Sequence, residues 1–468
     1  MSAPEAHLRP EGGYRHALSL ILPLVLGNSA FTIMQFTDRV LLSRHSSGDI
    51  QAAMPAGILS FTLVSFFCAI AGYSGTFVAQ YHGAGDSRAC VRSCMAGLVL
   101  SLLSLPFFLA LIPVCHWIVR LAGHAPEIQA LEGEYAFWML LGGCIESAHW
   151  VLGGFLVGRS RVVPGTVISF VCCGINIALD YALIFGRWGL PEWGIRGAAV
   201  ATFASGAISS LLHLAVVFRE RPFREMPLRE ILRIDWGLVR RVVRYGVPSG
   251  IQMFFDIGAF AFFVLLTGRL DALSLATSNV AFSINNLAFA PLMGFSSAAA
   301  TLVGQFQGAG RSDLAHSSCW RCMHLGWAYM AAIGAVFLLL PETLLSAFRS
   351  PDAEYTVAQM LALGRKLLTL LVVWGMFDTM NIVFISALKG AGDTRFVMAA
   401  LVGSSWLAWI PAEIVVLNVL HRGIVAAWVV QCLFICALSL LFLWRWQGRR
   451  WASIRLIDGR RETAEEET

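Results

Sequence analysis

A stretch of twelve residues occurs twice in this chain. Thr76 to Ser87 (TFVAQYHGAGDS) returns 225 positions later as Thr301 to Ser312 (TLVGQFQGAGRS), with seven identical residues and no gap. At the same offset Pro23 aligns with Pro248, so the register extends well beyond the motif. The chain is therefore an internal duplication, and its two halves are predicted to adopt the same fold.

Composition indicates what kind of unit was duplicated. Hydrophobic residues make up 57% of the chain and charged residues 13%, whereas a soluble protein carries about 25% charged residues. An apolar run of about 20 residues can cross a bilayer, and we find twelve such runs, near 17–38, 52–80, 91–115, 133–158, 162–186, 194–218, 243–267, 277–306, 318–341, 360–388, 395–418 and 423–445. The sequence predicts an all-α integral membrane protein, with twelve transmembrane helices in two parallel, pseudo-twofold six-helix bundles around a central cavity.

An even number of helices per half places both termini on one side of the membrane. Of the 34 Lys and Arg residues, 24 fall on that side and 10 on the other. Because short cytoplasmic loops are enriched in Lys and Arg, we expect both termini to be cytoplasmic. The predicted parts are an N-terminal tail (1–16), an N-lobe (17–218), a basic cytoplasmic linker (219–242), a C-lobe (243–446) and a C-terminal tail (447–468).

Other function classes lack their sequence signals. The arginine-rich linker is interpreted as a contact for anionic lipid headgroups and not as a nucleic-acid-binding domain. The eleven cysteines lie mostly in apolar runs, where they behave as small hydrophobic residues. No Walker motif is present, so ATP hydrolysis through such a site is excluded. The large excess of Arg over Lys suggests a GC-rich genome and favours a bacterial inner membrane.

Acidic residues inside the apolar runs are the most informative residues of the chain. Each costs about 2.5 to 3.5 kcal/mol at a helix centre, so six facing lipid would cost on the order of 15 kcal/mol, more than the net stability of most domains. They must therefore face an interior cavity or polar partners: Asp38, Glu146, Asp180, Asp256, Asp378 and Glu413.

Some of these acids have informative spacings. Asn176 lies four residues before Asp180 and so on the same helical face, where the two would offer oxygen ligands to a hard cation such as Na⁺. A carboxyl shielded from water can instead carry a proton, so the sequence allows either ion. Glu146 and Asp378 differ by 232 positions and are interpreted as equivalent residues on the fourth helix of each half. Glu413, close to a proline, is interpreted as structural.

The combined pattern resembles the multidrug and toxic compound extrusion (MATE) family of secondary transporters, over nearly the whole chain. The motifs are P-x14-D in the first helix (Pro23, Asp38), QxxGAG after the second and eighth helices, NIALDYALIFG at 176–186 and LKGAGDT at 388–394. The resemblance implies a cation site in the N-lobe at Asp38, Asn176, Asp180 and Thr202. It also implies C-lobe acids at Asp256 (FFDIGAF) and Asp378 (WGMFDTMN). The chain holds both sets, so the coupling ion and the working lobe stay open.

The expected function is H⁺- or Na⁺-coupled antiport that exports organic cations or other amphipathic drugs by alternating access. We expect no cofactor, no metal beyond Na⁺ at the cation site, and a monomer in the bilayer. The alternatives are a lipid-linked saccharide flippase of the same superfamily, a passive channel, or a membrane-embedded transferase that uses His149 or His213. Anionic saccharide cargo would favour a basic cavity, whereas the buried charges here are mostly acidic.

Overall fold

The computed structural model describes residues 13–268, 270–346, 348 and 356–457, and within them it is helical with no strand. The first half of the chain, which we call the N-lobe, contains nine helices. They are α1 (Tyr14–His45), α2 (Ser47–Gly72), α3 (Ser74–Gly83), α4 (Ser87–Leu103), α5 (Leu105–Leu121), α6 (Pro126–Leu141), α7 (Gly143–Gly158), α8 (Val162–Ile184) and α9 (Gly194–Arg219).

Two short helices lead into the second half, which we call the C-lobe: α10 (Arg221–Glu225) and α11 (Leu228–Ile231). The C-lobe helices are α12 (Trp236–Thr267), α13 (Ala272–Gly308), α14 (Ser312–Leu339), α15 (Pro341–Ser346), α16 (Val357–Ala391), α17 (Thr394–Ser404), α18 (Ile410–Ile414) and α19 (Ile424–Gln447). Two π-helical turns, Ser405–Trp409 and Val415–Val419, flank α18, and a 3-10 turn at Arg450–Ser453 follows α19. The linker is therefore partly helical, with Phe223 and Ile231 buried.

The prediction of twelve membrane spans is confirmed. Eleven spans are long and apolar enough by themselves, and α6 with α7 forms a twelfth that bends by 44°. The bend lies at adjacent glycines, which are poor helix formers. A Cβ at Gly143 would lie 2.9 Å from the Phe108 ring, and one at Gly142 would lie 3.2 Å from Phe203. The break therefore lets neighbouring helices approach the chain closely.

The eleventh span, from Thr394 to Val419, is irregular in its second half. Pro411 lies within it and has no N–H for the helical hydrogen bond, and its ring clashes with the carbonyl four residues earlier. That earlier residue, Leu407, belongs to the first π-helical turn. The wider π turn accommodates the proline without ending the span.

The first helix of each lobe packs against the other lobe: α1 packs on α13, and α12 packs on α2. A Cβ at Gly250 of α12 would lie 2.7 Å from the Phe66 carbonyl oxygen, and one at Gly294 of α13 would lie 2.8 Å from Val25 N. Val25 and Gly250 are 225 positions apart, so the same crossing occurs twice. In each crossing a glycine permits the close backbone approach that membrane helices use for packing.

The lobes are also joined where α3 and α13 end, at the face that holds both ends of the described chain. We call this the terminal face. Gln80 Nε2 donates to the Gly390 carbonyl at 3.0 Å, and Gln305 Nε2 donates to the Gly158 carbonyl at 2.7 Å. These four residues form the glutamine clamp. Because the two glutamines are 225 positions apart, each lobe holds the other by the same contact.

The segment after α19 reinforces this junction. Trp451 stacks on Trp446 with ring centroids 4.1 Å apart. Gln307 donates to the carbonyls of Trp451, Ala452 and Ile454. Leu456 is then buried in a hydrophobic cluster made mainly of N-lobe side chains. The segment thus runs from the C-lobe to the N-lobe across the terminal face.

Candidate functional site

Two acids and an amide meet inside the N-lobe. Asp38 lies on α1, and Asn176 and Asp180 lie on α8, which packs against α1. With its amide nitrogen facing the carboxyls, Asn176 donates to Asp180 Oδ2 at 3.1 Å and to Asp38 Oδ1 at 3.0 Å. Asp180 is fully buried and Asp38 is 9% exposed. We call Asp38 and Asp180 the N-lobe acid pair.

The N-lobe acid pair concentrates two carboxyl groups in a buried site. Both carboxyls lie within hydrogen-bonding reach of one amide nitrogen, and two ionised carboxylates that close would repel each other strongly in a site shielded from water. Asp180 Oδ1 is buried without a hydrogen-bond partner. A proton shared between the carboxyls, or a small cation bound by them, would offset the repulsion. Asn176 can serve either state, because a reversed amide presents its carbonyl oxygen.

The other two N-lobe residues singled out from the sequence are Thr202 and Glu146. Thr202 is half-buried on α9, and its carbonyl accepts a hydrogen bond from Ser205 Oγ at 3.1 Å. Glu146 is half-buried on α7, where Oε1 accepts from Trp150 Nε1 at 3.0 Å. Glu146 also interacts electrostatically with Cys68 of α2. Among the described residues, neither Thr202 nor Glu146 has a contact with the acid pair.

Tyr135 is a residue that the sequence reasoning missed. It lies on α6, and its phenol interacts electrostatically with both Asp38 and Asp180. A phenol can donate to a carboxylate or accept from a protonated one, so Tyr135 completes the polar surroundings of the pair. No spacing rule relates it to α1 or α8, because it comes from a distant part of the chain.

The C-lobe holds a second acid pair, Asp256 on α12 and Asp378 on α16. The two carboxyls interact electrostatically, and Asn381 Nδ2 lies 3.4 Å from Asp378 Oδ1. Asp256 is exposed to solvent although it lies in the middle of a membrane-spanning helix. That combination is expected of a side chain that lines an internal cavity. Asp256 and Asp378 form the C-lobe acid pair.

Lys389 of α16 was also missed as a site residue. Its Nζ donates to Gln252 Oε1 at 3.0 Å and interacts electrostatically with Asp256. Gln252 precedes Asp256 by one helical turn, so both lie on the same face of α12. The signal was present in the sequence, since Lys389 is one of only two lysines and directly follows the tenth apolar run.

Glu413, the remaining intramembrane acid, lies on α18 and is 1% exposed. Its Oε1 accepts from Trp409 Nε1 at 3.1 Å, and Trp409 stacks on Phe434. Its other carboxyl oxygen is buried without a partner. An aromatic environment with a single donor fits the interpretation of Glu413 as a structural residue.

Two pseudo-symmetric helical lobes, each with acids inside the membrane spans, are an arrangement typical of membrane transporters. The MatE family pattern matches residues 23–182 and 248–415, which is more than half of the chain. The chain therefore belongs to the MatE family. Proteins of this family are transporters, so the prediction of a transporter is confirmed and the transferase alternative is excluded.

Individual relatives agree over almost their full length. A probable multidrug resistance protein NorM of Pseudomonas putida is 29% identical and covers 95% of this chain and 96% of its own. The corresponding protein of Bradyrhizobium diazoefficiens is 28% identical, with 91% of each chain covered. An outward-facing structure of a multidrug resistance MATE family transporter of the MOP superfamily has a TM-score of 0.83, at 19% identity, over 94% of this chain and 97% of that one. The predicted twelve-helix, two-bundle fold is confirmed.

Proposed function

We propose that the chain is a cation-coupled antiporter that exports organic cations or other amphipathic drugs. The observation that carries the proposal is the pair of intramembrane acid sites, one per lobe, each with polar partners from a second helix. Intramembrane acids are costly and usually mark an ion or substrate pathway. Relatives named as multidrug resistance proteins support drug cargo.

The coupling step follows from competition for negative charge. A proton or Na⁺ reaching Asp38 and Asp180 neutralises the N-lobe acid pair, and with Na⁺ the Asn176 amide turns its carbonyl oxygen toward the ion. Cationic cargo bound at Asp256 and Asp378 is attracted by the summed negative charge of both acid pairs. Binding of the coupling ion therefore weakens the hold on the cargo. For neutral cargo, one charge crossing about 100 mV supplies roughly 2.3 kcal/mol, enough for about a fiftyfold gradient. Exchange of one monovalent organic cation for one coupling ion moves no net charge, so the ion's concentration gradient alone drives it.

The direction of transport follows from the charge distribution and the glutamine clamp. The excess of Lys and Arg favours a cytoplasmic terminal face, in a bacterial inner membrane. The clamp ties the lobes at that face, so this conformation corresponds to the stage at which cargo leaves and the coupling ion arrives. Rocking of the lobes about their pseudo-twofold axis would expose the cavity to the cytoplasm.

Purified protein in liposomes tests this proposal. Efflux of ethidium is followed by fluorescence under an imposed pH gradient, an imposed Na⁺ gradient, or neither. One gradient should accelerate efflux at least tenfold, and Asp38→Asn or Asp180→Asn should abolish that acceleration. Glu342→Gln serves as the control, because this exposed acid pairs with Arg365, which lies thirteen residues and about 20 Å along α16 from Asp378. An ethidium efflux rate that neither gradient changes would contradict coupling. The absence of any ethidium movement would contradict drug export.

A further inference from the structure

An ammonium group beside the C-lobe acid pair has no part in the scheme above. The chain has two lysines, Lys366 and Lys389. Lys366 is exposed near the end of α16 that lies opposite the terminal face, whereas Lys389 is half-buried in the same helix. A lysine within a membrane helix is costly and faces a partner or an aqueous cavity. The contacts of Lys389 therefore call for a functional explanation.

The ammonium is held loosely. Lys389 Nζ donates to Gln252 Oε1 at 3.0 Å. It interacts with Asp256 electrostatically, but no direct ion pair joins them among the described residues. An ammonium has three donors, and one hydrogen bond to a neutral amide accounts for only one of them. The ammonium is thus close enough to Asp256 for an electrostatic interaction but does not form a direct ion pair with it.

The backbone of Lys389, by contrast, is fixed where the two lobes meet. Tyr73 of the N-lobe donates its hydroxyl hydrogen to the Lys389 carbonyl at 2.7 Å. The next carbonyl, that of Gly390, accepts from Gln80 in the glutamine clamp. A flexible four-carbon side chain on a fixed backbone can move its charge while the backbone stays in place.

Charge balance gives this arrangement a role. Asp256 and Asp378, if ionised, carry two negative charges, and Lys389 supplies one positive charge. One further cation or proton makes the C-lobe site neutral. We propose that Lys389 is a built-in counter-cation of the C-lobe acid pair: its ammonium lies near Asp256 while the site is empty, moves away when an organic cation or coupling ion arrives, and returns when that ion leaves. This inference rests on the proposed antiport function and adds a specificity-determining residue to it.

The consequence is a site that binds cations less tightly but releases them faster. Without the tethered charge, the two acids would hold a cation with their full negative charge. Lys389→Met should therefore tighten binding of tetraphenylphosphonium by about tenfold or more and lower the maximal transport rate. Lys389→Arg should restore values near wild type, and Lys366→Met should change neither.

A double-mutant cycle distinguishes this role from a merely structural one. Binding of tetraphenylphosphonium to detergent-purified full-length protein is measured for Lys389→Met, Asp256→Asn and the double variant. The effect of Lys389→Met should vanish in the Asp256→Asn background and persist in the Asp38→Asn background. Lys389→Gln, which keeps a polar donor without the charge, repeats the test if the methionine variant folds poorly.

The outcomes separate this inference from the antiport proposal. Equal binding by wild type and both uncharged variants, or no binding by any of them, would overturn it, as would an effect that persists without Asp256. If the affinity change appears but no gradient drives ethidium in liposomes, the counter-cation stands and antiport fails. If gradients drive transport but Lys389 variants bind and transport normally, antiport stands and the counter-cation fails.

Discussion

At the scale of single residues, two glycines permit the closest approach of the lobes. Gly83 ends α3 and Gly308 ends α13, and they are equivalent under the 225-residue offset. A Cβ at Gly83 would overlap the Gln305 carbonyl, and a Cβ at Gly308 would overlap the Gln80 carbonyl. Backbone atoms cannot move aside as a flexible side chain can, so only glycine fits.

Gly83→Ala and Gly308→Ala should each destabilise the protein by about 1 to 3 kcal/mol, as overpacking does in other tightly packed interiors. The matched control is Gly206→Ala in α9, where an added Cβ meets no atom within 4 Å. That variant should be neutral or slightly more stable, because alanine favours the helix. Thermal unfolding in detergent, followed by tryptophan fluorescence, compares the three. Equal melting temperatures for Gly83→Ala and Gly206→Ala would contradict the packing argument.

Single residues also show what sequence could predict about the sites. The four-residue spacing of Asn176 and Asp180 places them on one face of α8, and the structure brings Asp38 to the same point. Tyr135 could not be assigned, because only the packing of α6 brings it to the acids. Lys389 stands out as one of two lysines, but the sequence does not show that α16 packing brings it near the C-lobe acid on α12. The direction of the Asn176 amide depends on what its neighbours donate and accept, which spacing does not encode.

At the scale of elements, α13 begins with a side-chain cap on the face opposite the terminal face. Asp271 Oδ1 accepts from Ser274 N at 2.9 Å, and Oδ2 accepts from Ser274 Oγ at 2.7 Å. These bonds favour the ionised carboxylate, so the hydrogen bonds from Ser274 hold the pKa of Asp271 below its ordinary value. The cap satisfies one of the N–H groups that a helix start leaves unpaired.

Asp271→Ala should lower stability by about 0.5 to 2 kcal/mol at neutral pH. Because the folded-state pKa is depressed, the ionised cap stabilises the protein above the unfolded-state value of about 3.9 and loses that contribution as the pH falls through the lower folded-state value. Thermal melts across pH 3 to 7 should therefore show the two proteins converging in acid. Asp313→Ala, which removes an exposed ion pair with Arg449, is the control and should change little. A difference that grows in acid would contradict this account.

The positions of the spans could be predicted because each needs a long apolar run. Their shapes could not, since Gly142–Gly143 and Pro411 disfavour a regular helix but do not determine whether the helix bends or widens into a π turn. In the fourth span the chain bends by 44°, whereas in the eleventh it widens into π-helical turns. The difference depends on neighbours such as Phe108 and Phe203, which pack against the bend.

At the scale of the whole molecule, the glutamine clamp is the contact that alternating access must break. Gly158 and Gly390, the two carbonyl acceptors, are 232 positions apart, the same offset as Glu146 and Asp378. The structure places both glycines in equivalent contacts. The two duplicated halves therefore close the terminal face symmetrically, with one hydrogen-bond donor and one acceptor from each lobe.

Gln80→Ala and Gln305→Ala should each weaken this closure by about 1 to 3 kcal/mol, because each leaves a buried carbonyl without its donor. Amide hydrogen exchange followed by mass spectrometry should become faster in residues 80–86 and 305–311 in either variant, since both segments meet at the clamp. Gln51→Ala, at an exposed position near the far end of α2, should leave these rates unchanged. Unaltered exchange in both clamp variants would show that other contacts close the terminal face.

The central claim is that cargo and coupling ion move only in exchange for each other. Measuring the ion movement that cargo efflux drives tests this claim most directly. Liposomes containing the protein are loaded with tetraphenylphosphonium and diluted without any ion gradient, with the membrane potential clamped. Lumenal pH and ²²Na⁺ uptake are then recorded. We predict that outward cargo flow drives one of the two ions inward, above its equilibrium level, and that Asp38→Asn abolishes this uptake. Cargo efflux without movement of either ion would contradict antiport and identify a passive pathway.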